Sequence, residues 1–194
     1  MTRFPLAAAA GLVAALALTA CGGSSSSSGK PNPNAPEKSP PGDIPDNQAF
    51  VRFAVPGRGY SVKVPEGWSQ RRGGGAVVFT DKLNTIRLES RPASGPLTVA
   101  AAKRTEVRAL KRTVKGFKAG TVSQVARTAG PAVRITYLAR ATVNPVTGKS
   151  GTDAVERYVF FHRGKDAVVT LSGPKGADNV DPWRLVTNSL RWTR

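Results

Sequence analysis

Apolar and polar residues follow a period of two along three short stretches in the first half of the chain, residues 50–55, 60–64 and 85–90, and residues 76–80 form a short apolar run. In the second of them, Tyr60, Val62 and Val64 share one face. A period of two is typical of a strand with one buried face, because successive side chains point to opposite sides of a sheet. The pattern therefore predicts four strands joined by turns, as in an antiparallel meander.

Two of the connections carry clear turn signals. Pro65 and Gly67 follow the second strand, and proline cannot donate a hydrogen bond to a sheet, whereas glycine permits a tight turn. We expect Trp68 to fold back over the apolar face as a lid on the core. Residues 70–75 are basic and rich in glycine, and they predict a loop.

The hydrophobic period becomes helical between residues 99 and 117. Five apolar residues fall within a narrow arc of a helical projection: Val99, Val107, Leu110, Val114 and Phe117. We expect one amphipathic helix docked on the sheet, with Gly116 or Gly120 as its stop signal.

The opposite face of this predicted helix is basic. We call it the basic ridge and define it by five residues: Arg104, Arg108, Lys111, Arg112 and Lys115. A charge run on a helix is usually a solvated face, but five cations with no acid among them favour contact with an anionic surface. The basic ridge is thus the candidate binding site in the sequence, and a merely solvated surface is the alternative.

The second half of the chain repeats the strand pattern. Alternation predicts strands at residues 121–128, 132–141, 155–163 and 167–172, with a polar loop at residues 144–152. A last helix follows, with Asp181 as its N-cap, Pro182 in its first turn, and a buried stripe of Trp183, Val186 and Leu190. The elements predict an α+β fold, an antiparallel sheet flanked by helices.

The N-terminal segment has the pattern of a lipoprotein signal peptide. Arg3 precedes an apolar run over residues 4–20, which ends in the sequence Leu18-Thr19-Ala20-Cys21. We expect cleavage after Ala20, removal of residues 1–20, and lipidation of Cys21 by acyl chains such as palmitate, which hold a protein on a membrane. The location would be the extracytoplasmic face of the cell membrane. Ordinary secretory cleavage that leaves a free thiol on Cys21 is the alternative.

Residues 21–48 separate this anchor from the strands. Glycine and serine dominate the first part and proline the second, a composition that predicts a disordered linker. A single globular domain is then expected over residues 49–194.

Basic residues exceed acidic ones by a wide margin. The chain has 29 Lys and Arg against 12 Asp and Glu, a net charge of +17. Such a charge attracts polyanions, which outside a bacterial membrane are lipid headgroups and anionic wall polymers. Nucleic acid is not expected as a partner, since an exported protein meets little of it and no strand interleaves aromatic and basic residues.

The inventory of reactive side chains argues against catalysis. His162 is the single histidine and Cys21 the single cysteine, so one chain offers neither a multi-histidine metal site nor a second thiol. No G-x-S-x-G motif accompanies His162, and the glycines at residues 73–75 precede a strand, unlike those of a phosphate-binding loop. Acidic pairs for glycoside hydrolysis have no distinguishing context. We expect no enzyme activity, no catalytic residues, no metal and no cofactor.

Two short motifs resemble a known family. The run from Tyr60 to Trp68 reads aromatic-x-V-x-V-P-E-G-W, and the run from Ser189 to Trp192 reads S-L-x-W. With the order of strands and helices between them, they resemble the PsbP-like group, which includes an extrinsic photosystem subunit and many bacterial lipoproteins. The resemblance implies an α-β-α sandwich and a mostly non-enzymatic role through protein or ligand contacts. Its mycobacterial lipoprotein relatives imply cell-envelope lipids as ligands by analogy.

These observations lead to one favoured hypothesis and one alternative. The favoured hypothesis is a membrane-anchored binding module outside the cytoplasm that recognises an anionic or amphipathic envelope partner, namely a lipid, a wall polymer or a protein. The alternative is a scaffold or accessory subunit of an envelope protein complex.

Overall fold

The computed structural model describes residues 40–143, 148 and 150–193. The signal peptide, Ala20, Cys21 and the linker up to residue 39 lie outside these residues, as does part of the polar loop. The strands are β1 (Phe50–Val55), β2 (Tyr60–Pro65), β3 (Ser69–Gly73), β4 (Ala76–Thr80), β5 (Thr85–Pro92), β6 (Lys118–Arg127), β7 (Gly130–Arg140), β8 (Thr152–His162), β9 (Lys165–Pro174) and β10 (Arg191–Trp192). The helices are α1 (Val99–Arg104), α2 (Glu106–Thr113) and α3 (Val180–Asn188). No helix of the described residues is both long and apolar enough to cross a membrane.

The strands form two antiparallel sheets. The larger has seven strands in the order β3-β4-β5-β9-β8-β7-β6, and the smaller has three in the order β1-β2-β10. In the large sheet, neighbouring strands are successive along the chain except where β5 pairs with β9, and this pairing merges two meanders into one sheet. In the small sheet, β10 pairs with β2. The antiparallel sheet predicted from the alternating pattern is therefore confirmed.

Each face of the large sheet carries its own hydrophobic cluster. On one face lie the small sheet and α3, and there Phe53 of β1 meets Phe79 of β4 edge to face with ring centroids 4.9 Å apart. On the other face, α1 and α2 cover β6 and β7, where Val133 and Ile135 are buried. The expected sheet with helices on both sides is confirmed, with the small sheet sharing one layer with α3.

The predicted single helix is interrupted. Thr105 separates α1 from α2, and both its backbone N–H (2.8 Å) and its hydroxyl (2.9 Å) donate to the carbonyl of Ala101. The interruption coincides with the inward turn of Glu106, which is 9% exposed. Helix α2 ends at Thr113, before both predicted stop signals, because Val114 is already extended. Gly116 instead serves the following turn with φ 69°.

The glycine-rich segment predicted as a loop is largely a strand. Residues 69–73 form β3, and Gly74 and Gly75 make the turn with positive φ values of 55° and 73°. All five residues of β3 are exposed, so this edge strand needs no apolar side chain and shows no hydrophobic period.

The last helix starts earlier than expected. Its N-cap position is Asn179, and Asp181 is an exposed residue of the first turn. The side chain of Asn179 caps nothing because it bonds elsewhere in the fold. Trp183, Val186 and Leu190 are buried, as the predicted stripe required.

The folded part also begins before residue 49. The side chains of Asn84 and Asn179 both donate to the carbonyl of Gly42 at 2.9 Å, and the Asn179 side-chain oxygen accepts from the N–H of Ile44 at 2.8 Å. We call this arrangement the asparagine clamp. Ile44 is 5% exposed and belongs to the main core. The disordered linker predicted to reach residue 48 therefore does not include Gly42–Ile44.

Candidate functional site

The five cations of the basic ridge all lie at the surface. Arg104 ends α1, the next three belong to α2, and Lys115 lies in the turn after it. None of them forms an ion pair with any residue that the structure describes. All five are exposed. The i, i+3, i+4 spacing places Arg108, Lys111 and Arg112 on one side of α2, whereas Arg104 and Lys115 lie beyond its two ends.

Acidic partners lie instead beneath the helices. Glu106 at the start of α2 pairs with Arg91 of β5 (2.8 Å) and Arg157 of β8 (3.4 Å). Arg91 also pairs with Asp166 (3.0 Å), and Arg157 with Glu89 (3.2 Å). We call these five residues the buried ion network. Because Glu106 is the single acid of the two helices, its inward direction leaves their outer surface uniformly positive.

Burial and pairing act on the carboxylates of this network in opposite directions. Burial raises the pKa of Asp166, although Arg91 pulls against it, and one carboxylate oxygen of Asp166 is buried without a hydrogen-bond partner in the described structure. Burial also acts to raise the pKa of Glu89, but hydrogen bonds and charges of Arg87 and Arg157 outweigh it, and that pKa is lowered. The network therefore links α2 to the sheet, and within it the pKa of Asp166 is raised while that of Glu89 is lowered.

A cleft of about 500 Å³ lies on the opposite face of the large sheet. Strands β6, β7 and β8 form its floor, and α3 forms a wall through Val180, Trp183 and Arg184. Its charged lining residues, among those described, are four cations and one acid: Lys118, Arg127, Arg134, Arg184 and Glu156. Apolar residues also line it, among them Leu138, Ala154 and Ala177. The cleft is thus both positive and partly apolar.

The polar end of this cleft is held by a chain of hydrogen bonds. Arg127 donates to the hydroxyls of Thr187 (2.9 Å) and Tyr158 (3.2 Å) and lies over the tyrosine ring, 5.2 Å from its centroid. Tyr158 donates to Glu156, which also accepts from Arg134 at 3.5 Å. Burial, followed by the bond and charge of Glu156, raises the pKa of the Tyr158 hydroxyl. The Nε of Arg134 is buried with no hydrogen-bond partner among the described residues.

No local sequence pattern predicted this cleft. In β7, the alternation of side chains places Val133, Ile135 and Tyr137 on the face covered by α1 and α2, and Arg134 and Leu138 on the face of the cleft. A single strand therefore shows which of its residues share a face. The other contributors come from β6, β8 and α3, and their meeting depends on the pairing of these elements.

The remaining single residues have structural surroundings. The ring of His162 stacks on Trp192 with centroids 5.0 Å apart, and Trp68 is half-buried against the main core. In the described residues, no three His, Cys, Asp or Glu side chains gather in a way that could hold a metal ion.

Comparison with known proteins rests on structure alone. No protein-family model and no curated protein sequence matches the chain. The solution structure of cyanobacterial PsbP (CyanoP) from Synechocystis sp. PCC 6803 matches with a TM-score of 0.52 and 16% identity over 79% of this chain and 99% of CyanoP. The chain has a PsbP-like fold.

Two further structures resemble this PsbP-like chain. The Ran-binding protein Mog1p of Saccharomyces cerevisiae matches with a TM-score of 0.50 and 12% identity over 75% of this chain and 96% of its own. LpqN of Mycobacterium tuberculosis, which is involved in cell envelope biogenesis, reaches a TM-score of 0.45 at 16% identity, over 77% of this chain and 93% of LpqN. At these identities the likeness to CyanoP and Mog1p establishes the fold and leaves function to the site.

Proposed function

We propose that this protein is a lipid-anchored, non-enzymatic binding module that holds an anionic or amphipathic partner of the cell envelope against its basic ridge. The lipoprotein pattern ending at Cys21 supports the anchor and the extracytoplasmic location. The fold supports a binding role, because Mog1p, described as a Ran-binding protein, uses the same architecture. Lipid headgroups and wall polymers are the anionic partners nearest to such an anchor.

One observation carries this proposal, the separation of charge across α1 and α2. Their one acid, Glu106, is buried against Arg91 and Arg157, while the five cations of the ridge face solvent. Cations that are already neutralised by neighbouring acids add little to binding, whereas each free cation near an anionic bilayer contributes about 1 kcal/mol. The ridge can therefore orient the domain on an anionic surface that the lipid anchor only holds nearby.

A charge-reversal variant tests the ridge directly. We would use residues 22–194, which keep the whole described structure without the lipid, and change Arg104, Arg108, Lys111 and Lys115 to Glu. A matched control changes Lys63, Arg71, Arg72 and Lys82 to Glu, because these exposed cations lie elsewhere and give the same change in net charge. Circular dichroism should show that all three proteins are folded.

Co-sedimentation with anionic liposomes, neutral liposomes and purified wall polymer then measures binding. The unchanged protein should bind the anionic surfaces at low salt, and the ridge variant should lose more than ~100-fold in affinity, as expected from about 1 kcal/mol per cation. Binding should weaken as salt rises, since the screening length is about 8 Å at 0.15 M. Equal losses in the ridge variant and the control would show that net charge, and not the ridge, governs binding.

The alternative function is that of an accessory subunit in an envelope protein complex, which the protein-binding relative Mog1p also favours. Crosslinking in intact cells followed by mass spectrometry of proteins and lipids separates the two functions. A single dominant protein crosslink, together with no affinity for either anionic surface at low salt, would replace the proposal by this alternative.

A further inference from the structure

The floor of the cleft changes character along its length. Strand pairing places Arg134 of β7 beside Tyr158 of β8, and Leu138 of β7 beside Ala154 of β8. The first pair forms a polar end, which the guanidinium of Arg127 joins through the tyrosine hydroxyl. The second pair forms the more apolar end, with exposed Lys118 of β6 beside Leu138. Four steps along an extended strand separate the two pairs, a distance of about 13 Å at 3.3 Å per residue.

The polar end has unused capacity to bind an anion. The guanidinium of Arg134 has one hydrogen bond to a described residue, the long bond of 3.5 Å to Glu156, and its Nε has no partner there. A guanidinium carries five N–H donors and favours planar carboxylate or phosphate groups. Three other cations line the same cleft against one acid, so the field inside it is positive.

The apolar end does not suit a purely ionic ligand. Leu138 and Ala154 lie on strands that also carry arginines, and both face the cleft and are only half-buried. Trp183 of α3 adds an aromatic surface to the wall. A wall polymer of repeated charges would leave this surface unused, and a neutral amphiphile would leave the cations unused.

We propose that the cleft binds an amphiphilic anion, a molecule with one carboxylate or phosphate group at the Arg134 end and an alkyl chain over Leu138 and Ala154. This site is independent of the basic ridge, because α1 and α2 lie on the other face of the sheet. The negative group accepts hydrogen bonds from the guanidinium of Arg134, and the chain removes apolar surface of Ala154 and Trp183 from water.

A headgroup series at constant chain length tests the chemistry. Isothermal titration calorimetry of residues 22–194, below each critical micelle concentration, would compare dodecyl phosphate, laurate, dodecyl maltoside and dodecyltrimethylammonium, with inorganic phosphate as the headgroup alone. We expect one site per chain for the two anions. The neutral and cationic amphiphiles should each bind at least ~10-fold more weakly, since they cannot accept a charge-assisted hydrogen bond from Arg134 as an anion does. Inorganic phosphate should also bind at least ~10-fold more weakly, because it has no alkyl chain to bury.

Two variants place the ligand within the cleft. Changing Arg134→Gln together with Glu156→Gln removes the pair without leaving an unpaired charge, and it should weaken dodecyl phosphate by ~10-fold or more while dodecyl maltoside is unaffected. Ala154→Trp fills the apolar end and should weaken every amphiphile. If the first variant does not fold, Arg134→Lys tests the same headgroup selectivity, because lysine keeps the charge but lacks the planar set of donors.

The ridge variant described above is the control and should bind dodecyl phosphate normally. A loss in that variant would assign the amphiphile to the ridge and refute the cleft as its site. Equal affinity for dodecyl phosphate and dodecyl maltoside, no binding of any probe, or unchanged binding in the cleft variants would each overturn the proposal.

Discussion

Between residues 40 and 48, Ile44 is the single aliphatic side chain other than proline. It enters the main core beside the small sheet and α3, and the asparagine clamp fixes the backbone at Gly42 and at the N–H of Ile44. The residues around it are prolines, glycine and polar groups, which bury little surface. Its apolar attachment to the domain therefore depends on one residue, and side-chain hydrogen bonds of the two asparagines, Asp43 and Gln48 add to it.

Changing Ile44→Ala should lower the free energy of unfolding by about 2–4 kcal/mol, because the substitution deletes buried methyl and methylene groups and leaves a cavity. Urea denaturation of residues 22–194 measures this loss. Asp46→Ala is the matched control, since Asp46 is exposed in the same segment and its change should stay within about 0.5 kcal/mol. Equal stability of the two variants would mean that Ile44 does not hold the segment in solution.

The same residue shows where sequence patterns carry no information. A period needs several residues, and an isolated isoleucine among prolines has none, so composition alone assigned residues 42–44 to the linker. Asn179 is a related case. Its type suits a helix N-cap, but its amide is committed to Gly42, Ile44 and Asn84, all distant along the chain.

Elements with one buried face were predictable because their buried apolar residues recur with the period of a strand or of a helix. Strands β5 and β7 follow this rule, and so do the apolar residues of α2 that pack on the second cluster. Strands β8 and β9 lie in the centre of the sheet and are buried on both faces over residues 158–160 and 166–169. Strand β3 has no buried face and therefore has no such period. The interruption at Thr105 was hidden because Glu106 finds its partners, Arg91 and Arg157, on strands far along the chain.

We expect the buried ion network to attach α2 to the sheet. Glu106→Gln should lower the free energy of unfolding by about 1–2 kcal/mol, because Arg91 and Arg157 each lose one charged hydrogen-bond partner but keep Asp166 and Glu89, and Arg91 is 40% exposed. Thermal and urea unfolding measure the effect. Arg108→Gln on the exposed side of the same helix should change stability by less than about 0.5 kcal/mol. A similar small effect for both would show that the network adds nothing to the docking of α2.

At the scale of the part of the molecule that the structure describes, the basic ridge and the cleft are both positive and lie on opposite faces of the large sheet. Helical period alone found the ridge, because its residues are neighbours in sequence. The cleft needed the pairing of β6, β7 and β8 and the position of α3, which no local pattern contains. The fold class was predictable from the order of elements and from the PsbP-like motifs, whereas this site was not.

The proposed location at the membrane depends on Cys21, which lies outside the described residues. Cys21→Ser should release the protein from the membrane fraction and abolish labelling by an alkyne analogue of palmitate, because serine offers no thiol for acylation. Fractionation and labelling of intact cells measure both effects. Ser25→Ala, in the adjacent serine run, is the control and should leave both unchanged. Retention of label and membrane attachment in Cys21→Ser would contradict the lipoprotein proposal.

The asparagine clamp has a mechanical consequence for an anchored protein. Any pull on the chain before residue 40 reaches the fold first at Gly42 and Ile44, which are held by side-chain amides and not by strand pairing. Such contacts can open one after another without breaking a sheet. Under tension the segment would lengthen by a few residues while the ten strands keep their register. In the proposed anchored form, the clamp would yield before either sheet and keep tension on the chain from reaching the strands.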